Sequence, residues 1–116
     1  MHEMSVALSI IEAVDEKARL EGAGRISEIE LVVGRLAGID AESLKFCFSA
    51  AARDSLAEHA VLVVREREGQ GLCTACGSSF PLAFHIAECP ACRSFSVRIV
   101  SGDEFFIQSI TIEEKE

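Results

Sequence analysis

Two short cysteine pairs constrain this chain more tightly than any other feature. Cys73-Thr74-Ala75-Cys76 and Cys89-Pro90-Ala91-Cys92 are CxxC motifs separated by 12 residues. Each pair can form a tight knuckle that aims two sulfurs at one ion, and two knuckles complete the tetrahedral all-thiolate shell that zinc favours. Thiolates are soft ligands, suited to zinc or iron and poor for hard cations. Gly77 gives the first knuckle backbone freedom where its amides turn toward sulfur. Thioredoxin-like redox chemistry would need an exposed CxxC at a helix start, and neither pair opens a helical pattern. With Cys73, Cys76, Cys89 and Cys92 all ligating, no position stays open for water, so the expected role of this zinc is structural and not catalytic.

The rest of the chain places this module. Its 116 residues suit one ordinary domain with a modest core and one small appendage. Met4, Ala7, Leu8, Ile11, Val14 and Ala18 recur at helical spacing, and Gly22 and Gly24 follow, predicting a helix from about Met4 to Leu20. Ile26 to Val33 sets Glu28 and Glu30 against Ile29, Leu31 and Val33, the period of a strand with one buried face. Asp40 reads as the N-cap of a second helix whose apolar face holds Leu44, Cys47, Phe48 and Ala51. Ala60 to Glu66 is rich in β-branched residues and predicts a second strand, after which Gly69 and Gly71 read as a hinge.

From Leu72 to Val100 the chain carries all four paired cysteines and both prolines with no helical period. After Gly102, Phe105 to Glu113 predicts a strand returning to the first sheet, with a change of phase near Gln108 that suggests a bulge. The expected fold class is therefore α+β: two helices on a small three-stranded sheet, with an inserted four-cysteine zinc-ribbon domain. Residues 1–68, completed by 104–116, form the α+β domain in this reading, and residues 69–103 the ribbon.

Charge and the opening residues narrow the function. A formal charge of -8 at pH 7 argues against a general polyanion binder. Within the ribbon, Arg93 and Arg98 balance Glu88 and Asp103, which is not the basic footprint of a nucleic-acid module. Met1-His2-Glu3-Met4 lacks the basic and apolar regions of a secretory signal, and no apolar run nears the roughly 20 residues a membrane helix needs. A cytoplasmic protein with no membrane span is the expectation.

His2 stands beside the chain's amine. Solvation is the simple reading of such a residue. The alternative is a metal site, because the Met1 amine, the His2 imidazole and the deprotonated amides of His2 and Glu3 can supply nitrogen donors in a plane, the geometry diagnostic of Ni(II) or Cu(II). Glu3 adds a carboxylate. His2 is too large for the usual removal of the initiator, so Met1 is expected to remain.

Taken together, Met1-His2-Glu3, then Gly34-Arg35-Leu36-Ala37-Gly38 with Glu42-Ser43-Leu44-Lys45-Phe46, and finally the two CxxC pairs, resemble the HypA/HybF family over nearly the whole chain. That resemblance implies a hydrogenase-maturation factor, a nickel metallochaperone with a nickel-binding α+β domain and a separate structural zinc domain. It makes His2 the principal nickel ligand, assisted by Met1 and Glu3, and makes the four cysteines the zinc ligands. It implies the maturation GTPase HypB as partner, the NiFe hydrogenase large subunit precursor as client and, in some organisms, urease maturation as a further task. Two departures stand out. Arg93 occupies a place where the family's second knuckle usually has glycine, predicting a tightened or reshaped turn. No histidine flanks the cysteines, as it does in some relatives, so ligand switching at zinc is not expected.

Other candidates have simpler explanations. His85 and His59 read as surface or loop residues, Cys47 as a small hydrophobe on a helix face, and Glu28 and Glu30 as the wet face of a strand. No nucleophile triad or phosphate-binding loop is recognisable, so the chain reads as a non-enzyme. The competing functions are a zinc-ribbon adaptor or nucleic-acid module without nickel, and a zinc hydrolase, which would need the open metal position that four cysteines deny.

Overall fold

The computed structural model describes residues 2–114. In order, the elements are α1 (Glu3–Leu20), β1 (Ala23–Gly34), α2 (Ala41–Ala51), β2 (Val61–Arg67), β3 (Gly69–Cys73), β4 (Ser79–Leu82), β5 (Val97–Ser101) and β6 (Phe105–Glu114). They build two three-stranded sheets, ordered β2-β1-β6 and β4-β3-β5. The α+β class, the two helices and the ribbon interrupting the first sheet between β2 and β6 are all present. The chain divides into two compact units, one holding the segment up to Leu31, Ile39–Arg65 and the segment from Ile107, the other Val32–Gly38 and Glu66–Phe106. The division falls inside β1, β2 and β6.

The first unit is organised by its helices. Along α1, Ala7, Ile11, Val14 and Ala18 are buried as the helical spacing predicts, but Val6 and Ile10 complete the buried stripe in place of Met4 and Leu8, which are exposed. Leu44 and Phe48 face inward from α2, with Cys47 half-buried on the same side. Asp40 caps α2 by accepting from the Ser43 amide at 3.0 Å, an arrangement worth about 1 kcal/mol. From β1, Ile26, Ile29 and Leu31 complete the buried set. Leu56 is pinned from two sides: its amide donates to Asp15 Oδ1 at 3.0 Å and its carbonyl accepts from Ile26 at 2.8 Å. Glu30, on the wet face of β1, pairs with Arg65 at 2.6 Å. In β6, Phe105, Ile107 and Ile110 are half-buried while Gln108 and Ser109 are both exposed, which is the phase change expected there.

Within the second unit, Leu36, Cys73, Phe80, Leu82 and Cys89 form one buried cluster, with Ala87, Val97 and Ile99 packed against it. Two of those five core residues are paired cysteines, so little apolar burial holds this unit apart from whatever the sulfurs bind. Its sheet is antiparallel throughout, with Gly71 opposite Phe80 on one side and Ile99 on the other.

Here the hinge expected at Gly69 and Gly71 is corrected. Both lie within β3, where a Cβ on Gly71 would come within 2.9 Å of Leu82 and Val97 side-chain carbons, and one on Gly69 within 2.4 Å of the Leu82 carbonyl oxygen. The glycines permit close approach of neighbouring chains, and flexibility is not their role.

Candidate metal centre

Cys73 ends β3, Cys76 lies in the turn that follows, and Cys89 and Cys92 lie in the connection between β4 and β5. The knuckles are near copies. In the first, the Cys73 amide donates to the Ser78 carbonyl at 2.9 Å and the Gly77 amide to the Cys73 carbonyl at 2.8 Å. In the second, the Cys89 amide donates to the Ser94 carbonyl and the Arg93 amide to the Cys89 carbonyl, both at 2.8 Å. Thr74 ties the two arms together, its amide and hydroxyl donating to the Ser96 carbonyl at 2.8 and 2.9 Å.

The expected distortion at Arg93 does not occur. Arg93 takes φ 65 where Gly77 takes φ 80, so both knuckles turn through the left-handed region. A residue with a Cβ pays roughly 1 kcal/mol to sit there. The second knuckle therefore keeps its shape by carrying backbone strain.

The result is one compact sulfur cluster. Ligand atoms of all four cysteines lie within 4.8 Å of one another. Sγ of Cys73 is 3.5 Å from that of Cys92, and Sγ of Cys76 is 3.7 Å from that of Cys89. A tetrahedron with metal–sulfur bonds of about 2.3 Å has edges of about 3.8 Å, so the donor set fits one tetrahedral ion. Cys73 and Cys89 are buried, whereas Cys76 and Cys92 are exposed.

The thiols also oppose one another electrostatically. Hydrogen bonds from the Ser78 hydroxyl and amide, then from Cys92, pull Cys76 down to about 6. At Cys92 the Ser94 amide favours the thiolate, yet crowding by Cys73 and the other sulfurs, with some burial, pushes it up to about 12. Four adjacent sulfurs cannot all ionise without a cation among them, so metal binding here must expel protons.

Sequence reasoning did not single out Ser78 or Ser94. The signal was available: each follows the second cysteine of its pair by two positions, as Cys76-Gly77-Ser78 and Cys92-Arg93-Ser94.

The predicted nickel residues sit in a different setting. Met1 lies outside the described residues. His2 is the exposed N-cap of α1, with extended backbone and no side-chain capping hydrogen bond, and Glu3 is half-buried in the first turn. The first helical hydrogen bond runs from the Val6 amide to the His2 carbonyl at 3.1 Å. Amides ahead of Val6 thus have no partner within the helix. His85 and His59 are exposed, and neither joins the sulfur cluster.

Comparison with known proteins agrees with this arrangement. Residues 1–112 match the family described as hydrogenase/urease nickel incorporation, metallochaperone, hypA. The hydrogenase maturation factor HypA of Pelodictyon phaeoclathratiforme is 64% identical over 115 residues, 99% of this chain and 98% of that one. That of Chlorobium limicola is 61% identical over 114 residues, 98% of each chain. Among solved structures, the solution structure of the Ni metallochaperone HypA from Helicobacter pylori is similar at TM-score 0.69 and 25% identity, covering 99% of this chain and all of that one. With its two helices, its four-cysteine metal site and this likeness along its length, the chain belongs to the HypA family of nickel-incorporating metallochaperones for hydrogenase maturation, which are not enzymes.

Proposed function

We propose that this chain binds Ni(II) at its N-terminus and delivers it during NiFe hydrogenase maturation, while Cys73, Cys76, Cys89 and Cys92 hold one structural zinc ion. His2 supplies the principal imidazole donor, the Met1 amine and nearby amides supply further nitrogens, and Glu3 adds a carboxylate or tunes the site. The nickel-binding domain is residues 1–68 completed by 104–116, and the zinc ribbon is residues 69–103.

The observation that carries the nickel assignment is the uncommitted state of the first residues. The His2 side chain is exposed and caps nothing, and helical hydrogen bonding begins only at Val6. Imidazole and amide nitrogens can therefore be given to a metal without dismantling α1. A cation at a helix N-terminus is opposed by the macrodipole, by about 0.3–1 kcal/mol. Two deprotonated amides would cancel the charge of Ni(II) and remove that opposition, and they select a planar nitrogen geometry over the tetrahedral sulfur of the ribbon. Binding that expels protons weakens on acidification, which suits reversible handover.

Zinc is supported by the donor set: four thiolates spaced as a tetrahedral edge requires, with no position left for water. The partners in this reading are the GTPase HypB, as the source of energy for transfer, and the large subunit precursor as recipient. Urease maturation proteins are further candidates, since the family description joins hydrogenase and urease nickel incorporation. No helix among the described residues is long and apolar enough to cross a membrane, and we place the work in the cytoplasm. Nickel titration of untagged protein tests the assignment: His2→Ala is expected to lose tight nickel binding while keeping one zinc per chain. Unchanged nickel affinity would remove His2 from the site.

A further inference from the structure

The two knuckles have nearly the same backbone and different surroundings for their exposed sulfurs. The Cys76 thiol donates to the Ser78 hydroxyl oxygen at 3.3 Å, and once a metal makes Cys76 a thiolate the same hydroxyl is placed to donate back to it. At Cys92 the corresponding Ser94 hydroxyl oxygen accepts from the Ser96 amide at 3.0 Å and makes no described bond to sulfur. Cys76 thus has a serine hydroxyl beside its sulfur, and Cys92 has none among the described contacts. Cys73 and Cys89 are buried, so neither offers its sulfur to solvent.

Hydrogen bonds to a metal-bound thiolate draw off its charge and hold its orientation, and outer partners of this kind tune both ligand and metal. Among exposed sulfurs in one shell, the one with fewer hydrogen-bond donors retains more electron density and is the stronger nucleophile. We infer that Cys92 is the reactive corner of the four-cysteine site: the residue at which soft electrophiles attack first. This rests on the four cysteines holding zinc. The assignment makes Cys92 a modification site and Cys76 an anchored ligand, with Ser78 as the positioning residue that separates their reactivities.

Limited alkylation of the zinc-loaded full chain tests it. With iodoacetamide, an electron pair on sulfur forms the new S–C bond as the C–I bond breaks and iodide leaves. The thioether that results is neutral and no longer a competent ligand. Peptide mapping at low extents of reaction, with Cys47 on α2 as a reference outside the cluster, is expected to find Cys92 modified roughly fivefold faster than Cys76, as the loss of one charge-assisted hydrogen bond allows. Ser78→Ala should bring Cys76 up to the rate of Cys92, and Ser78→Thr, which retains a hydroxyl, should restore the difference. Equal rates in the wild type, or faster reaction at Cys76, would overturn the inference even if Ser78→Ala failed to fold. An unaltered ratio in a folded Ser78→Ala chain would equally overturn it. Zinc content measured before labelling separates these results from failure of the zinc assignment, since a chain that binds no zinc removes that assignment and this inference together.

Discussion

In the proposed reading, the sulfur cluster and the N-terminus handle metal in opposite ways. The cluster is prebuilt, with four donors converging within 4.8 Å and two of them serving as core residues of their unit. At His2 no such group of donors converges among the described residues: the ring is exposed and makes no capping bond. A site that is part of the core binds its ion as a step of folding, and release would unfold it. A site outside the core can fill and empty at no cost to the fold. On that reading, the contrast lets one chain of this size hold one metal permanently and carry another.

The largest effect that would break this contrast comes from the cluster. Cys73→Ser or Cys89→Ser should abolish zinc retention and cost the second unit several kcal/mol, because a ligand and a buried core residue are lost together. Hydrogen exchange should show protection lost across β3, β4 and β5 while α1 stays protected. A ribbon that keeps its protection without zinc would contradict the structural role.

Next is His2→Ala, which should weaken nickel binding by about 100-fold or more, since removing even an outer partner of a metal ligand costs roughly 10–100-fold. Thermal stability measured without nickel should be unchanged, as the side chain caps nothing. A clear loss of stability would show His2 to be part of the fold.

A smaller effect concerns the first unit's independence from metal. Asp15 is held below its ordinary value near 3.8: burial works the other way, and hydrogen bonds from Arg19 and the Leu56 amide outweigh it. With a depressed pKa in the folded state, its stabilisation is complete above the unfolded value and disappears as pH falls through the folded one. Asp15→Asn should therefore cost about 1 kcal/mol at neutral pH and flatten the acid limb of the stability curve measured on zinc-loaded protein. An acid limb identical to the wild type would assign the loss to other groups.

The smallest effect lies within the cluster, between its knuckles. Arg93→Gly relieves left-handed strain and adds freedom to the unfolded chain, leaving a net gain under about 1 kcal/mol. Gly77→Ala should lose about 1 kcal/mol at the matching position. Urea unfolding of zinc-loaded protein reads both. Effects of the same sign would show that the two turns are not equivalent.

Much of the molecule could be read before folding because its signals are local. The cysteine spacing and the Asp40 cap each fix their geometry within a few residues, and each is found as expected; the α1 stripe is found only in part, with Val6 and Ile10 buried in place of Met4 and Leu8. What escaped depended on neighbours distant in sequence. Gly69 and Gly71 resemble a hinge until Leu82 and Val97 are beside them, when they become the positions at which strands can approach. Arg93 could not be assigned a backbone angle from its side chain, since only the paired hydrogen bonds of the two knuckles hold it at positive φ. The serines were visible as a repeat, but the different direction of their hydroxyls was not.

X-ray absorption at the nickel and zinc edges of untagged protein loaded with both metals tests the division of labour most directly. The account predicts nickel in a nitrogen and oxygen shell and zinc in a shell of four sulfurs. Nickel surrounded by sulfur would contradict it, because the carried metal would then occupy the cluster and not the N-terminus.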